Sequence, residues 1–430
     1  IVGTRSSALI PLRDIGIIII DEEHDQSFRQ SEGFKFSARD LSIKRAQMSK
    51  IPIVLGSATP SLQTLKLVKE SKFKKVDILN RVDGNKPPKL IVLDINDSHL
   101  NGGLAIETLD AIQATIDKNE QVLIFINRRG FAPLYQCGAC GWVAGCKSCD
   151  TNLVFHQSKN RLICHRCESA YSVNSNCPAC DARDFYMHGV GTERVEEVLK
   201  KSFEGTPVIR VDHDSTKKVG AMETIVNKIH SSDAAVLVGT QMIAKGHDFP
   251  KVTLSIILNA DNGLISPESN ALEKISQLLI QVSGRAGRNN NLAKVIIQTR
   301  YPDDINLNKI KTGDYMSFAS QCLRNNLQMN LPPFTTLCLL RCSSPTQKSN
   351  IDFLNKAVTT LTNRMGINVI GPLPSLVSKA KGNYRHQVYI HASKKTFLNK
   401  VLKFLTQEFE KWPESKKVRW SYDIDPIDLG

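Results

Sequence analysis

The sequence predicts an α/β protein with a cysteine-rich insert and a small α+β domain at its C-terminal end. Three observations predict this. Short β-branched runs end in polar, glycine-containing loops, the pattern of buried parallel strands. Eight of the eleven cysteines fall between residues 137 and 180. Beyond Leu331-Pro332-Pro333 the pattern becomes strand, helix, strand, helix, strand. At 430 residues the chain exceeds one compact core, and at roughly 150 residues per domain about three domains are expected.

Taken in order, Ile15–Ile20 runs into Asp21-Glu22-Glu23-His24, and Pro52–Leu55 runs into Gly56-Ser57-Ala58-Thr59. Each reads as a strand ending in a polar loop, where open α/β sheets place their ligand sites. Gly84-Asn85-Lys86-Pro87-Pro88 is a turn-rich break. Gln121–Ile126 is the next strand, and the cysteine block follows it. A second α/β series then resumes with strands at Val208–Val211, Ala234–Val238, Val252–Leu258 and Lys294–Thr299, so the cysteine block reads as an insert.

The 56 Lys and Arg against 42 Asp and Glu leave a net charge of +14, which favours a polyanionic partner such as nucleic acid. Hydrophobic residues at 41% and charged residues at 23% are ordinary globular values, excluding wholesale disorder and a membrane-embedded class. The apolar run Ile15–Ile20 is far below the roughly 18 to 20 residues that cross a bilayer, and no leader opens the chain. A cytoplasmic protein with no membrane partner is expected. The chain begins at Ile1 and its first methionine is Met48, so it reads as N-terminally incomplete.

The eight clustered cysteines form four Cys-x-x-Cys pairs: Cys137/Cys140, Cys146/Cys149, Cys164/Cys167 and Cys177/Cys180. Two sulfurs separated by two residues sit on one tight turn and face one ion, so two such turns complete a tetrahedral site. Eight thiolates imply two zinc ions, with a disulfide framework or iron as the competing chemistries. Between Cys149 and Cys164, Asn152–His156 and Arg161–Ile163 read as two short strands joined by a turn. That hairpin predicts a nested grouping: Cys137, Cys140, Cys177 and Cys180 on one ion, and Cys146, Cys149, Cys164 and Cys167 on the other. An interleaved grouping is the alternative.

Carboxylates at a strand end suit a hard cation bound to phosphates. Asp21 is the candidate Mg²⁺ ligand, Glu22 the candidate to position and deprotonate an attacking water, and His24 the candidate relay. Ser57 and Thr59 offer small hydroxyls for switchable hydrogen bonds, although a helix-capping turn would use the same residues. The glycines of Gly239–Pro250 permit close backbone approach to a ligand. In Gln281–Arg288, Arg285 and Arg288 lie three apart, so one helical face can aim both guanidinium groups at a developing phosphate charge.

The ordered set DEEH, GSATPS, INRRGFAP, four CxxC pairs, GTQMIAKGHDFP and QVSGRAGR resembles the PriA family of bacterial primosomal replication-restart helicases, in superfamily 2, over essentially the whole chain. The resemblance implies two RecA-like lobes, a two-zinc insert in the second and a C-terminal DNA-binding domain. It divides the chain into 1–108 (part of lobe 1), 109–136 with 181–330 (lobe 2), 137–180 (zinc insert) and 331–430. It also implies ATP-dependent 3′-to-5′ unwinding of forked DNA and loading of the replicative helicase. Its partners would be single-stranded DNA, single-stranded-DNA-binding protein, primosome components and the helicase loader.

Carried onto this sequence, the resemblance places Asp21 and Glu22 on the Mg²⁺ and water-activating carboxylates, Gly246 and Asp248 on nucleotide contacts, and Gln281, Arg285 and Arg288 on hydrolysis. It also supports the nested zinc grouping. The segment Asp25–Asp40 resembles the family's aromatic-rich coupling loop, with Phe28, Phe34 and Phe36 among Arg29, Lys35 and Arg39. Aromatic faces there would stack on bases while the cations meet phosphate. No Gly-x-x-x-x-Gly-Lys-Ser/Thr loop occurs in these residues, so the chain as given is expected to bind ATP poorly. Ser375–Lys403 carries seven Lys or Arg and no acid, Lys379, Lys381 and Arg385 among them, which reads as phosphate contact. The alternative function is a non-catalytic, zinc-bearing DNA-binding scaffold.

Overall fold

The computed structural model describes residues 1–30, 33–78, 88–127, 134–137, 139–156, 160–164, 166–173, 175–183, 185–188, 192–212, 215–216, 220–240, 249–264, 270–284, 293–311, 313–362 and 366–427. They form two compact units. One comprises residues 1–77, 319–375 and 386–430, and the other residues 78–318 and 376–385.

In the first unit, Ile18–Ile20 and Ile53–Leu55 pair as parallel strands, with Ile20 opposite Leu55. The run Ile15–Ile20 is thus a shorter strand than its apolar composition predicts. It is also less buried than expected, because Ile20 is covered whereas Ile19 is 66% exposed and Val54 48% exposed. Two strands make only a small sheet, and among the described residues one of its faces stays open. The helix Ala38–Ser49 starts where the Ser37 hydroxyl accepts from Asp40 N–H, and the helix Leu62–Lys69 where Ser61 accepts from Thr64 N–H.

The C-terminal part contains a four-stranded sheet in the order Ile367–Ala380, Asn383–Ala392, Thr336–Ser344 and Arg419–Ile424. The helices Gln347–Thr362 and Lys395–Lys411 cover it. Phe353, Leu354, Leu361, Leu398, Leu405 and Phe409 are fully buried with Leu340, Val388 and Ile390 from the strands. The sequence pattern predicts one strand fewer. Ile367–Ala380 and Asn383–Ala392 are separated by only Lys381 and Gly382, too short a break to register as a loop.

In the second unit a six-stranded, wholly parallel sheet runs Val208–Val211, Ala235–Gly239, Gln121–Ile126, Val252–Leu258, Lys294–Thr299 and Lys89–Asp94. Its central strands are buried along their length, as the continuous Val/Ile/Leu runs require of a sheet covered on both faces. Lys89–Asp94, which precedes the expected boundary at 108, is the edge strand of this sheet because it hydrogen-bonds to Lys294–Thr299. Gln298 fixes the start of the following helix, Ile106–Ile116. Its Oε1 accepts from Ala105 N–H (3.0 Å) and the Thr108 hydroxyl (2.7 Å).

A five-stranded antiparallel ribbon interrupts this sheet's chain, in the order Ala170–Ser172, Arg161–Ile163, Val154–His156, Leu134–Cys137 and Phe185–His188. The expected hairpin is present, with Val154 opposite Ile163 and Phe155 opposite Leu162. Among the described residues no helix is long and apolar enough to cross a membrane.

Candidate functional site

The ribbon's short strands bring the four Cys-x-x-Cys turns together in two sets. Cys137, Cys140, Cys177 and Cys180 form one, and Cys146, Cys149, Cys164 and Cys167 the other; within each, all sulfurs lie within 4.8 Å of one another. This is the nested grouping. The hairpin carries the second and third turns to one end, and antiparallel pairing of Leu134–Cys137 with Phe185–His188 draws the first and fourth together. Around a tetrahedral zinc with Zn–S near 2.3 Å, sulfurs should stand about 3.8 Å apart. Cys137–Cys180, Cys140–Cys177 and Cys146–Cys167 are each separated by 3.6 Å. A disulfide needs about 2.05 Å, so these groups fit a metal and not a disulfide framework.

Local hydrogen bonds set the thiols' readiness to ionise. The N–H of Cys140 lowers Cys137 to about 7. The Ser169 hydroxyl, 3.2 Å from the sulfur, is the main cause lowering Cys167 to about 6. Burial pushes Cys149 up to about 12, and the Lys381 N–H acts against that rise. Zinc binds thiolates, so such donors favour the liganding form.

In the first unit the two acidic and hydroxyl motifs meet at the ends of the parallel strands. Gly56 N–H donates to Ile20 C=O (2.8 Å) and Glu23 N–H to Gly56 C=O (3.0 Å), which locks the loops side by side. His24 Nδ1 lies 2.7 Å from Ser57 Oγ, and His24 Nε2 lies 3.4 Å from Thr59 Oγ1. The same Nδ1 is 3.5 Å from Glu22 Oε2. Asp21 is exposed, and its Oδ1 accepts from Glu22 N–H (3.0 Å).

Glu23 is a residue the sequence reading passed over. It is 2% exposed, and its carboxylate accepts from Ser61 N–H (2.7 Å), Ser61 Oγ (3.1 Å), Thr64 Oγ1 (2.9 Å) and Arg39 (3.0 Å). Three consecutive acids look alike in sequence, and only the turn decides which one points inward. Arg39, expected to meet phosphate, is drawn into this network instead. It pairs with Glu23 and also with Asp40 (2.9 Å), and bonds Gln63. Burial lowers its pKa, but the two carboxylates outweigh that and hold it above the ordinary value.

The aromatic set divides. Phe34 is 74% exposed and stacks on Phe36 with centroids 5.8 Å apart, whereas Phe28 and Phe36 are half-buried. Arg29 is anchored to Asp423 (2.8 Å) and to the Ile424 carbonyl, and Asp423 also pairs with Arg341 (3.3 Å). Asp423 too was missed, since nothing in the sequence links residues so far apart. Lys379 Nζ lies 5.2 Å over the Tyr384 ring, and Arg385 Nη1 is buried with no hydrogen-bond partner among the described residues. Gln281 sits on the helix Ala271–Ser283. Gly246, Asp248, Arg285 and Arg288 lie outside the described residues.

Three family models match: the primosomal protein N C-terminal domain over residues 327–427, the helicase conserved C-terminal domain over 185–290, and the PriA DNA helicase Cys-rich region over 146–170. The chain is 36% identical over 433 residues to the replication restart protein PriA of Haemophilus influenzae, covering 100% of this chain and 59% of that one. Against PriA of Bacillus subtilis it is 35% identical over 431 residues, covering 99% and 54%.

The chain belongs to the PriA family. It spans somewhat more than half the length of these curated PriA relatives. The Cys-rich region model covers all four cysteines of the second set, and the helicase C-terminal model covers three strands of the parallel sheet. Saccharomyces cerevisiae Dbp5 bound to RNA and ADP BeF3 aligns at TM-score 0.37 and 14% identity, over 73% of this chain and 59% of that one, too distant a likeness to argue from.

Proposed function

We propose that the chain is the working part of an ATP-dependent 3′-to-5′ DNA helicase of replication restart, which recognises stalled forks and starts primosome assembly. The observation that carries the reading is the His24–Ser57–Thr59 contact, which joins two motifs more than thirty residues apart at the mouth of a parallel strand pair. A hydrogen-bonded relay there can change with the state of a phosphate bound beside it.

In this reading the residues before Lys89 belong to a first RecA-like lobe, and the parallel sheet, with Lys89–Asp94 as its edge strand, to a second. Asp21 holds Mg²⁺ on the nucleotide, and Glu22 accepts the proton of the water that attacks the terminal phosphorus as ADP leaves. Gly246 and Asp248 contact nucleotide, while Gln281, Arg285 and Arg288 act on the charge that develops. Phe28, Phe34 and Phe36 couple this chemistry to stacked bases, and Lys379, Lys381 and Arg385 meet phosphates. Forked and single-stranded DNA, single-stranded-DNA-binding protein and the replicative helicase loader are the partners, in the cytoplasm.

The test is Glu22→Gln in the full-length gene product. DNA-stimulated ATP hydrolysis should fall at least a hundredfold, on the order of one general base, with DNA affinity unchanged. Retained turnover overturns the assignment. An unsubstituted protein that binds forks without hydrolysing ATP would support the scaffold reading instead.

A further inference from the structure

The four Cys-x-x-Cys turns share one closing bond. The N–H of the first cysteine donates to the carbonyl five residues on: Cys137 to Trp142 (2.7 Å), Cys146 to Thr151 (2.9 Å), Cys164 to Ser169 (3.0 Å) and Cys177 to Ala182 (2.8 Å). Three turns add a second bond, in which the residue after the second cysteine returns its N–H to the first cysteine's carbonyl. Gly141 does so to Cys137 (3.0 Å), Glu168 to Cys164 (2.8 Å) and Asp181 to Cys177 (2.9 Å). Each of these residues takes a positive φ: 76°, 64° and 58°.

The turn at 146–151 departs from this pattern. Its equivalent residue, Asp150, does not take a positive φ, and its N–H donates to the Lys379 carbonyl at 2.8 Å. Three more bonds arrive from the same distant segment. Gly382 N–H donates to Ser148 C=O (2.9 Å), Lys381 N–H to Cys149 Sγ (3.3 Å) and Ser378 Oγ to Asp150 Oδ2 (2.6 Å). Lys381 and Gly382, with φ of 49° and 78°, are the two turn residues of a hairpin. Their N–H groups lie outside the strand ladder, which leaves them able to donate outward.

We propose that the Lys381-Gly382 hairpin turn is a built-in part of the second zinc site, bracing the 146–151 turn in place of the second local bond that braces the other three. The proposal rests on this cysteine set holding zinc. The turn acts through its backbone, so it positions Cys149 and donates to its sulfur without touching the metal. Partners that orient a metal ligand typically change metal affinity by about 10- to 100-fold when lost. The dependence runs both ways. Zinc at Cys146, Cys149, Cys164 and Cys167 holds the turn, and with it the segment that carries Lys379 and Lys381.

Gly382→Val tests this directly. A Cβ at Gly382 meets nothing within 4 Å, so the substitution acts through the positive φ that a β-branched residue resists. Gly382→Asn, which tolerates that φ, and Lys381→Ala, which keeps the N–H, are the controls. Transfer of zinc from the reduced, loaded protein to a chromophoric chelator should show one of two ions leaving about tenfold faster in Gly382→Val. The other ion, and both ions in the controls, should leave at the unsubstituted rate.

A second measurement holds even if that variant misfolds. In the unsubstituted protein, hydrogen exchange at the Lys381, Gly382 and Asp150 amides should be slow with zinc and fast after chelation, while Val388 and Ile390 stay protected. Equal release of both ions from a folded Gly382→Val, or turn amides that stay protected without metal, overturns the proposal. Fewer than two zinc ions per reduced chain would overturn the zinc reading beneath it instead.

Discussion

The six-stranded sheet and the cysteine ribbon belong to one compact unit, yet different forces hold them. In the sheet, Val122, Leu123, Ile124, Phe125 and Ile126 are all 0% exposed, and neighbouring strands add Val236, Val238, Ile256 and Ile297 at the same value. The ribbon's strands are three or four residues long, and its core is Tyr135, Ala144, Leu153 and Leu162 together with the sulfurs of Cys149 and Cys164. So little apolar surface cannot offset the chain entropy of ordering the ribbon, and coordination must supply the rest. The same unit thus pairs a region stabilised by burial with one whose two cysteine sets could hold zinc.

Removing zinc should have the largest effect and separate the two regions. Chelation under reducing conditions is expected to abolish amide protection across the ribbon while Gln121–Ile126 and Ala235–Gly239 remain protected. Simultaneous loss in both would show that they do not fold independently. Next comes a polar anchor of a third kind. Glu23→Ala removes one of the two carboxylates paired with the Arg39 charge, and should cost roughly 3 to 5 kcal/mol in denaturant unfolding. A loss below 1 kcal/mol would mean that the network relaxes to water.

Ile124→Ala, in the centre of the sheet, should cost about 2 to 5 kcal/mol and leave the zinc content at two ions. A loss of zinc would tie the ribbon to the sheet's core. At the small end, the solvated pair of Lys201 and Glu197, 2.9 Å apart, should contribute at most about 0.5 kcal/mol, so Lys201→Ala is expected to leave the unfolding midpoint nearly unchanged.

Much of this was legible in residue pattern. The parallel strands at Gln121–Ile126, Val208–Val211, Val252–Leu258 and Lys294–Thr299 stand where β-branched runs end in turn residues. The nested cysteine grouping was predicted from two short strands that could pair as a hairpin, with an interleaved grouping left as the alternative, and the structure shows the nested one. Local spacing carries such information because neighbouring residues share one turn or one ladder. Arg39 shows the limit: its position among phenylalanines suits phosphate contact, but a carboxylate sixteen residues earlier in the chain holds it.

The sequence by itself determined the α/β class, the four Cys-x-x-Cys turns and the strand ends that carry DEEH and GSATPS, since each depends on short-range periodicity or on spacing within a turn. Only the tertiary structure decided that Glu23 is the inward carboxylate, that Asp423 anchors Arg29, and that a turn at Lys381-Gly382 braces a cysteine turn more than two hundred residues away. Those contacts depend on which surfaces pack together, and a backbone N–H or a buried carboxylate carries no mark in the sequence of the distant group it will meet.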